Sequence, residues 1–146
     1  FNRYTDLFLY SASRSENIKK LKKFYKKKII IIDRFTDSTI AYQHFGLGVD
    51  LNLIKKIHNV ILNDFKIDFT FLNVVNETNM IQRLKKRNKL NRYDTFNVKF
   101  YKKVQKGFLT LAKKKPNKYK IINSNLDMKI NKDIVLKKIS ELIKWV

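Results

Sequence analysis

The chain has 146 residues, of which 44% are hydrophobic, so it is long enough for one domain with a core. It contains no cysteine, which excludes disulfide bonds, thiolate nucleophiles and cysteine-ligated zinc. No apolar stretch approaches the roughly 20 residues that a membrane-spanning helix needs, so we expect a cytoplasmic protein without a membrane partner.

The formal net charge of +21 points first to nucleic acid, because clustered Lys and Arg neutralise phosphates. Lysine, isoleucine and asparagine have A/T-rich codons and are abundant here, so genomic base composition explains much of this excess. The lysine-rich segment 19–28 is therefore interpreted as a solvated helix end and turn, and we expect no specific nucleic-acid partner. The few arginines are more informative, because a rigid guanidinium fork suits bidentate phosphate binding.

The first half of the chain alternates helix and strand patterns. Apolar residues at helical spacing predict a helix from about Thr5 to Phe24. The apolar run that ends in an acid predicts a buried parallel strand over Ile29–Asp33. A short helix is expected at Ser38–Tyr42, and Asp50 is expected to cap another helix with one apolar stripe.

The second half continues this alternation. β-Branched and aromatic residues predict a strand over Phe69–Val75, after which Asn76 caps a helix. A longer amphipathic helix stops before Pro116, and a strand at Tyr119–Ile122 and a terminal helix at Asn131–Trp145 follow. Strands separated by helices in this order imply an α/β fold with a doubly wound parallel sheet.

Charged groups follow the first predicted strand directly, at the edge where open α/β sheets bind ligands. Asp33 can hold a metal ion directly or through water, and Arg34 offers a planar fork to a phosphate. An apolar run ending in Asp-Arg is common in α/β proteins and indicates little by itself. The series Asp37–Gln43, followed by the segment 46–50, adds polar and aromatic groups in order after this motif.

This stretch closely resembles the Asp-Arg motif of bacterial thymidylate kinases, which phosphorylate dTMP with ATP to give dTDP in dTTP biosynthesis. The resemblance implies a doubly wound parallel sheet with flanking helices, of the P-loop nucleoside monophosphate kinase type. It also implies Mg²⁺ together with ATP as the phosphate donor. Relatives are commonly homodimers, so the resemblance implies a homodimer here.

The chain departs from such kinases at the donor site. It lacks the Gly-x-x-x-x-Gly-Lys-Ser/Thr loop that cradles donor phosphates, and it begins with Phe1 inside a segment resembling the helix before the Asp-Arg strand. We therefore expect an amino-terminally truncated sequence whose residues 1–146 form a single domain, the carboxyl-terminal two thirds of a family member. The sheet is then incomplete, lacking its first strands, and we expect the fragment alone to be inactive.

The resemblance assigns acceptor roles residue by residue. Tyr10 would stack on thymine, although a helix-core aromatic is the alternative interpretation, and Arg14 would lie near the dTMP phosphate. Arg34 would bind that phosphate, while Asp33 would lie near the metal and the reacting phosphates. Tyr42 would lie under the deoxyribose, where its ring would crowd a 2′-hydroxyl. The residues that match the nucleoside pocket are Ser38, Thr39, Tyr42 and Gln43.

The segment 83–94 resembles the mobile lid of the family. The resemblance gives Arg87 and Arg92 a catalytic role in closing over the donor phosphates. Tyr93 would pack near the acceptor, and Asp94 would lie near the metal ion, in contact with it directly or through water. A solvated basic turn is the alternative interpretation.

Two other functions remain open. A deoxynucleoside kinase, or another P-loop phosphotransferase, would take an acceptor without phosphate, whereas the paired Arg14 and Arg34 favour an acceptor that already bears one. A basic nucleic-acid-binding protein would interleave aromatics along a positive groove. The aromatics here follow apolar stripes instead, and we expect them in the core.

Overall fold

The computed structural model describes residues 2–86, 93 and 97–143. It contains two compact units. The first comprises Phe1–Asp68 and Lys99–Leu111, and the second comprises Phe69–Val98 and Ala112–Val146. That residues 1–146 form a single domain stays a prediction.

Helices make up most of both units. The α-helices are α1 (Arg3–Leu21), α2 (Thr36–Thr39), α3 (Leu51–Leu62), α4 (Glu77–Lys85), α5 (Val98–Lys114) and α6 (Met128–Ile143). The remaining elements are a π-helix (Ile40–Gly46), a 3₁₀ turn (Pro116–Lys118) and the strands β1 (Thr70–Val74) and β2 (Tyr119–Asn123). No helix within the described ranges is long and apolar enough to cross a membrane.

Side-chain caps fix the starts of two helices. Asp50 Oδ1 accepts a hydrogen bond from the Leu53 amide at 2.7 Å, and Asn76 Oδ1 accepts one from the Asn79 amide at 2.8 Å. These oxygens satisfy amides that have no partner within the helix itself. Both predicted caps are confirmed, and the predicted helices agree with α1, α3, α5 and α6 apart from a few residues at their ends.

The predicted buried strand Ile29–Asp33 is wrong. Residues 29–32 have no regular secondary structure, and a bend follows at residues 33 and 34. Ile31 is 87% exposed and Ile29 is 64% exposed, so the run is not buried either. An apolar run indicates a preference for extended backbone, but a strand needs a hydrogen-bonding neighbour. In the part of the chain that the structure describes, the sheet consists of β1 and β2.

The core of the first unit lies between α1 and α3. Leu7 of α1, Ile54 of α3 and Val49 form a cluster in which each side chain is fully buried. Ile57, one turn along α3, packs against this cluster. Leu7 and Ile54 therefore mark a common level along the two helices.

Residues 99–111 of α5 pack closely against the π-helix. A Cβ atom built on Gly46 would lie 2.5 Å from Phe100 Cε2, and one built on Gly107 would lie 2.6 Å from Phe45 Cδ2. Both distances are shorter than non-bonded carbon atoms tolerate. Glycine at these two positions thus allows the helices to approach each other.

We expect the substitution Gly107→Ala to lower the free energy of unfolding. Overpacking costs about 1–3 kcal/mol, and it opposes a gain of about 1 kcal/mol from the better helix propensity of alanine. The clash involves Phe45 Cβ, at 2.9 Å, as well as its ring, so rotation of the ring alone does not relieve it. Urea unfolding measures the change, with the exposed neighbour Lys106→Ala as the control. A stabilised Gly107→Ala protein would contradict this packing.

The second unit contains the sheet. β1 and β2 are parallel, and their register pairs Thr70 with Tyr119 and Val74 with Asn123. Both strands were predicted, and so was their parallel orientation. An α/β unit with a two-stranded parallel sheet is consistent with an incomplete sheet.

Candidate functional site

Arg14 of α1 reaches across to the segment that begins α2. Its Nη1 donates to Thr39 Oγ1 at 2.7 Å, and its Nη2 donates to the Phe35 carbonyl at 3.0 Å. The guanidinium carbon also lies 5.3 Å from the centre of the Phe35 ring. Two hydrogen-bond acceptors and one aromatic ring therefore restrict the long side chain of Arg14, which would otherwise be mobile.

Arg14 is a partly buried cation. Burial lowers its pKa, and the charge of Asp37 acts in the opposite direction. Removing a guanidinium from water costs free energy unless an anion or hydrogen-bond acceptors compensate for it. The site is thus electrostatically suited to an anionic ligand.

Arg34 has an unusual backbone conformation. Its φ angle is +59°, in the left-handed region, which costs a non-glycine residue roughly 1–2 kcal/mol. Partial burial acts to lower the pKa of Arg34. A side-chain hydrogen bond to Tyr42 outweighs this effect, together with favourable electrostatic interactions with Tyr42, Asp33 and Tyr10, so the pKa is raised. Backbone strain of this kind occurs often at ligand sites.

Tyr42 forms a fixed aromatic face in the π-helix. Its ring meets Phe100 and Phe108 of α5 edge-on, with centroids 6.0 and 6.3 Å apart. The guanidinium carbon of Arg34 lies 5.1 Å from the centre of the same ring. π-Helical segments are rare and occur frequently at functional sites.

Tyr10 is not a core residue. It is 44% exposed, which contradicts the interpretation of a helix-core aromatic. Tyr10 lies one helical turn before Arg14 and acts electrostatically on Arg34. The first unit therefore brings together Tyr10, Arg14, Asp33, Arg34 and Tyr42.

The other residues predicted for the nucleoside pocket lie on α2 and the π-helix. Thr39 is 2% exposed and accepts the bond from Arg14, whereas Ser38 is half-buried. Gln43 is 1% exposed, so it contributes to the interior of the unit. Tyr93 belongs to the second unit, where it is half-buried. Arg87, Arg92 and Asp94 lie outside the described residues.

The donors for a metal ion are few. In the described ranges, no three His, Cys, Asp or Glu side chains come together. Mg²⁺ is usually held by one or two carboxylates together with waters and substrate phosphates. The exposed carboxylate of Asp33, beside Arg34, fits that donor set as a single ligand.

Sequence reasoning missed His58 on α3. It is 5% exposed, and burial together with the charge of Arg14 lowers its pKa to about 4. Its Nε2 is buried without a hydrogen-bond partner among the described residues. The signal was a histidine within the apolar stripe of α3, one turn after Ile54.

An α/β fold with two partly buried arginines, each over an aromatic ring, suits the binding of a nucleotide phosphate. The family model for thymidylate kinase matches residues 1–135. The chain belongs to the thymidylate kinase family.

Individual relatives agree with this assignment. The chain is 39% identical over 132 residues to the thymidylate kinase of Wolbachia sp. subsp. Brugia malayi (strain TRS), covering 89% of this chain and 62% of the relative. It is 36% identical over 142 residues to the thymidylate kinase of Wolbachia pipientis subsp. Culex pipiens (strain wPip), covering 92% of this chain and 67% of the relative. The chain thus spans about three fifths to two thirds of the length of these curated relatives.

A solved structure supports the fold class. The crystal structure of thymidylate kinase from Ehrlichia chaffeensis has a TM-score of 0.73 and 29% sequence identity. The match covers 95% of this chain and 67% of that one. The expected α/β fold of the P-loop nucleoside monophosphate kinase type is confirmed.

Proposed function

We propose that the first unit forms the dTMP site of a thymidylate kinase, which transfers the γ-phosphate of ATP to dTMP and so serves dTTP biosynthesis. The observation that carries this proposal is the placement of Arg14 and Arg34 around α2 and the π-helix, with Tyr10, Asp33 and Tyr42 beside them. Membership of the thymidylate kinase family supports it.

The two arginines receive the 5′-phosphate of the acceptor. Arg14 uses two N–H groups on Thr39 and Phe35, which leaves the other edges of its planar fork for phosphate oxygens. Arg34, which directly precedes Phe35, supplies a second guanidinium fork. Charge-assisted bonds to phosphate are about twice as strong as neutral ones, and partial burial strengthens them further.

The nucleoside lies against the aromatic groups. Tyr10 stacks on thymine, and the ring of Tyr42, held by Phe100 and Phe108, lies under the deoxyribose. Because two phenylalanine rings hold the Tyr42 ring, it cannot move aside for a 2′-hydroxyl. The site therefore favours deoxynucleotides over ribonucleotides. Ser38 completes the lining of the pocket, while the buried Thr39 and Gln43 support it from behind, Thr39 through its bond to Arg14.

Phosphoryl transfer at such a site needs positioning and charge neutralisation rather than a covalent nucleophile. Mg²⁺, when bound with ATP, would offset negative charge on the donor phosphates. Asp33 and Asp94 would hold it, directly or through water, while Arg34, Arg87 and Arg92 balance the charge on the transferred group. The family resemblance gives the segment 83–94 the role of a lid that excludes water, and gives Tyr93 a role in acceptor binding.

We also propose the broader setting. The single domain of residues 1–146 corresponds to the carboxyl-terminal two thirds of a thymidylate kinase, and the enzyme is a cytoplasmic homodimer without a specific nucleic-acid partner. The relatives named above support the correspondence in length.

Isothermal titration of the chain with dTMP and with thymidine tests the acceptor site. We expect dTMP to bind at least about tenfold more tightly, since one hydrogen bond to a charged group contributes about 1.5–3 kcal/mol. Ribothymidine 5′-monophosphate should bind more weakly than dTMP because of the Tyr42 ring. Equal affinity for thymidine and dTMP would favour a deoxynucleoside kinase instead. The absence of binding by both would contradict the proposed site.

A further inference from the structure

Two buried polar atoms without partners lie in the interface of α1 and α3. Ser11 and His58 are each 5% exposed. Ser11 Oγ and His58 Nε2 are both buried and have no hydrogen-bond partner among the residues that the structure describes. Native proteins pair nearly all such atoms with protein groups or with ordered water, so both atoms need an explanation.

The helices α1 and α3 run in the same direction, since Arg3 at the start of α1 donates to the Gly48 carbonyl just before α3, and the Lys66 amide after α3 donates to Tyr25 Oη after α1. Leu7 and Ile54 share one core cluster, which aligns α1 with α3. Ser11 follows Leu7 by four residues, and His58 follows Ile54 by four residues. Four residues bring a helix round by about one turn, so both side chains remain on the facing surfaces.

The imidazole of His58 is uncharged near pH 7. Its lowered pKa, about 4, keeps the imidazole neutral near pH 7, and Arg14 is the charged group that acts on it. From the neighbouring elements, Asp37 of α2 acts on Arg14 rather than on His58. A neutral imidazole has one nitrogen that accepts and one that donates, whereas the cation only donates.

We propose that Ser11 and His58 form a polar link between α1 and α3 through one buried water, which positions the Arg14 guanidinium for the acceptor phosphate. Ser11 lies three residues before Arg14 and on the same side of α1, so fixing Ser11 fixes the turn that carries Arg14. The neutral ring of His58 also places no second positive charge near the Arg14 guanidinium. The link itself rests on buried atoms, and only its role at Arg14 rests on the proposed function.

The link is tested by a double-mutant cycle in urea unfolding, which needs no ligand. The changes are Ser11→Ala, His58→Leu and their combination. Residues joined in one hydrogen-bonded unit give non-additive effects, so the double variant should be little worse than the more damaging single one. Additive losses would overturn the link. Where His58→Leu fails to fold, His58→Gln replaces it, and the same criterion applies.

The positioning role is tested by the dissociation constants of dTMP and thymidine. We expect His58→Leu and Ser11→Ala each to raise the Kd of dTMP about tenfold, in line with coupling between residues of one network. The Kd of thymidine should stay within about twofold, since thymidine offers nothing to Arg14. His58→Gln, which keeps a polar side chain, should restore most of the dTMP affinity.

His44 provides the matched control histidine. It lies in the π-helix, where its Nδ1 donates to the Val49 carbonyl at 2.8 Å. His44→Leu should change stability without changing the ratio of the two dissociation constants. The positioning role would be overturned if His58→Leu left the ratio of the thymidine Kd to the dTMP Kd unchanged. It would also be overturned if His44→Leu changed this ratio as much as His58→Leu does. Failure of the unmodified chain to bind dTMP would instead overturn the proposed function, while the unfolding cycle would still decide on the link.

Discussion

Replacement of Arg34 by alanine is expected to weaken dTMP binding by at least about 30-fold, with a much smaller effect on ATP. The lost interaction is a charge-assisted phosphate pair, and hydrogen bonds to charged groups contribute about 1.5–3 kcal/mol. The guanidinium carbon of Arg34 also lies 5.1 Å from the centre of the Tyr42 ring, so its removal disturbs the face that we propose for the sugar. Titration calorimetry with dTMP measures the loss.

Backbone strain at Arg34 requires its own control. The φ angle of +59° suits glycine better than alanine, so Arg34→Gly removes the guanidinium while relieving the strain. Equal losses in Arg34→Ala and Arg34→Gly would assign the effect to the guanidinium. Arg34→Lys should recover only part of the affinity, because an ammonium lacks the bidentate fork. Unchanged binding in all three variants would remove Arg34 from the site.

The largest kinetic effect is expected at the lid. If Arg87 or Arg92 neutralises charge in the transition state, its replacement by alanine should lower kcat by about 10³-fold, the lower range for arginine fingers. The measurement needs a form of the enzyme that carries a phosphate-binding loop. Both residues lie outside those that the structure describes, so the prediction rests on the sequence resemblance.

Lys89 supplies the control for net charge at the lid. Lys89→Ala removes one positive charge from the same segment, and the family resemblance gives this residue no role. Its kcat should stay within about twofold of the unmodified value, as is usual when no transition-state contact is lost. If alanine at Arg87, Arg92 and Lys89 lowered kcat by small and equal amounts, the segment 83–94 would be a solvated basic turn without a catalytic role.

Local chemistry made much of the fold predictable. Asp50 and Asn76 are helix caps because their short side chains reach amides three residues ahead, an interaction that sequence spacing alone specifies. β1 and β2 follow from β-branched composition. The strand at Ile29–Asp33 failed because its existence depends on a neighbouring strand, which an apolar pattern cannot supply.

The candidate site was predictable in its residue types rather than in its contacts. Arg14 and Arg34 stood out through the chemistry of guanidinium and through family resemblance. The bonds from Arg14 to Thr39 and Phe35 depend on how α1 packs beside α2, which no local pattern encodes. His58 was missed because the sequence shows a histidine within an apolar stripe but does not show whether its ring nitrogens have partners.

A crystal structure of the chain with dTMP would test the central claim most directly. We expect the 5′-phosphate within hydrogen-bonding distance, about 3 Å, of the guanidinium nitrogens of both Arg14 and Arg34. The sugar should lie against the Tyr42 ring. A phosphate bound elsewhere, for example at the lysine-rich segment 19–28, would contradict the account, and so would a site that stays empty at saturating dTMP.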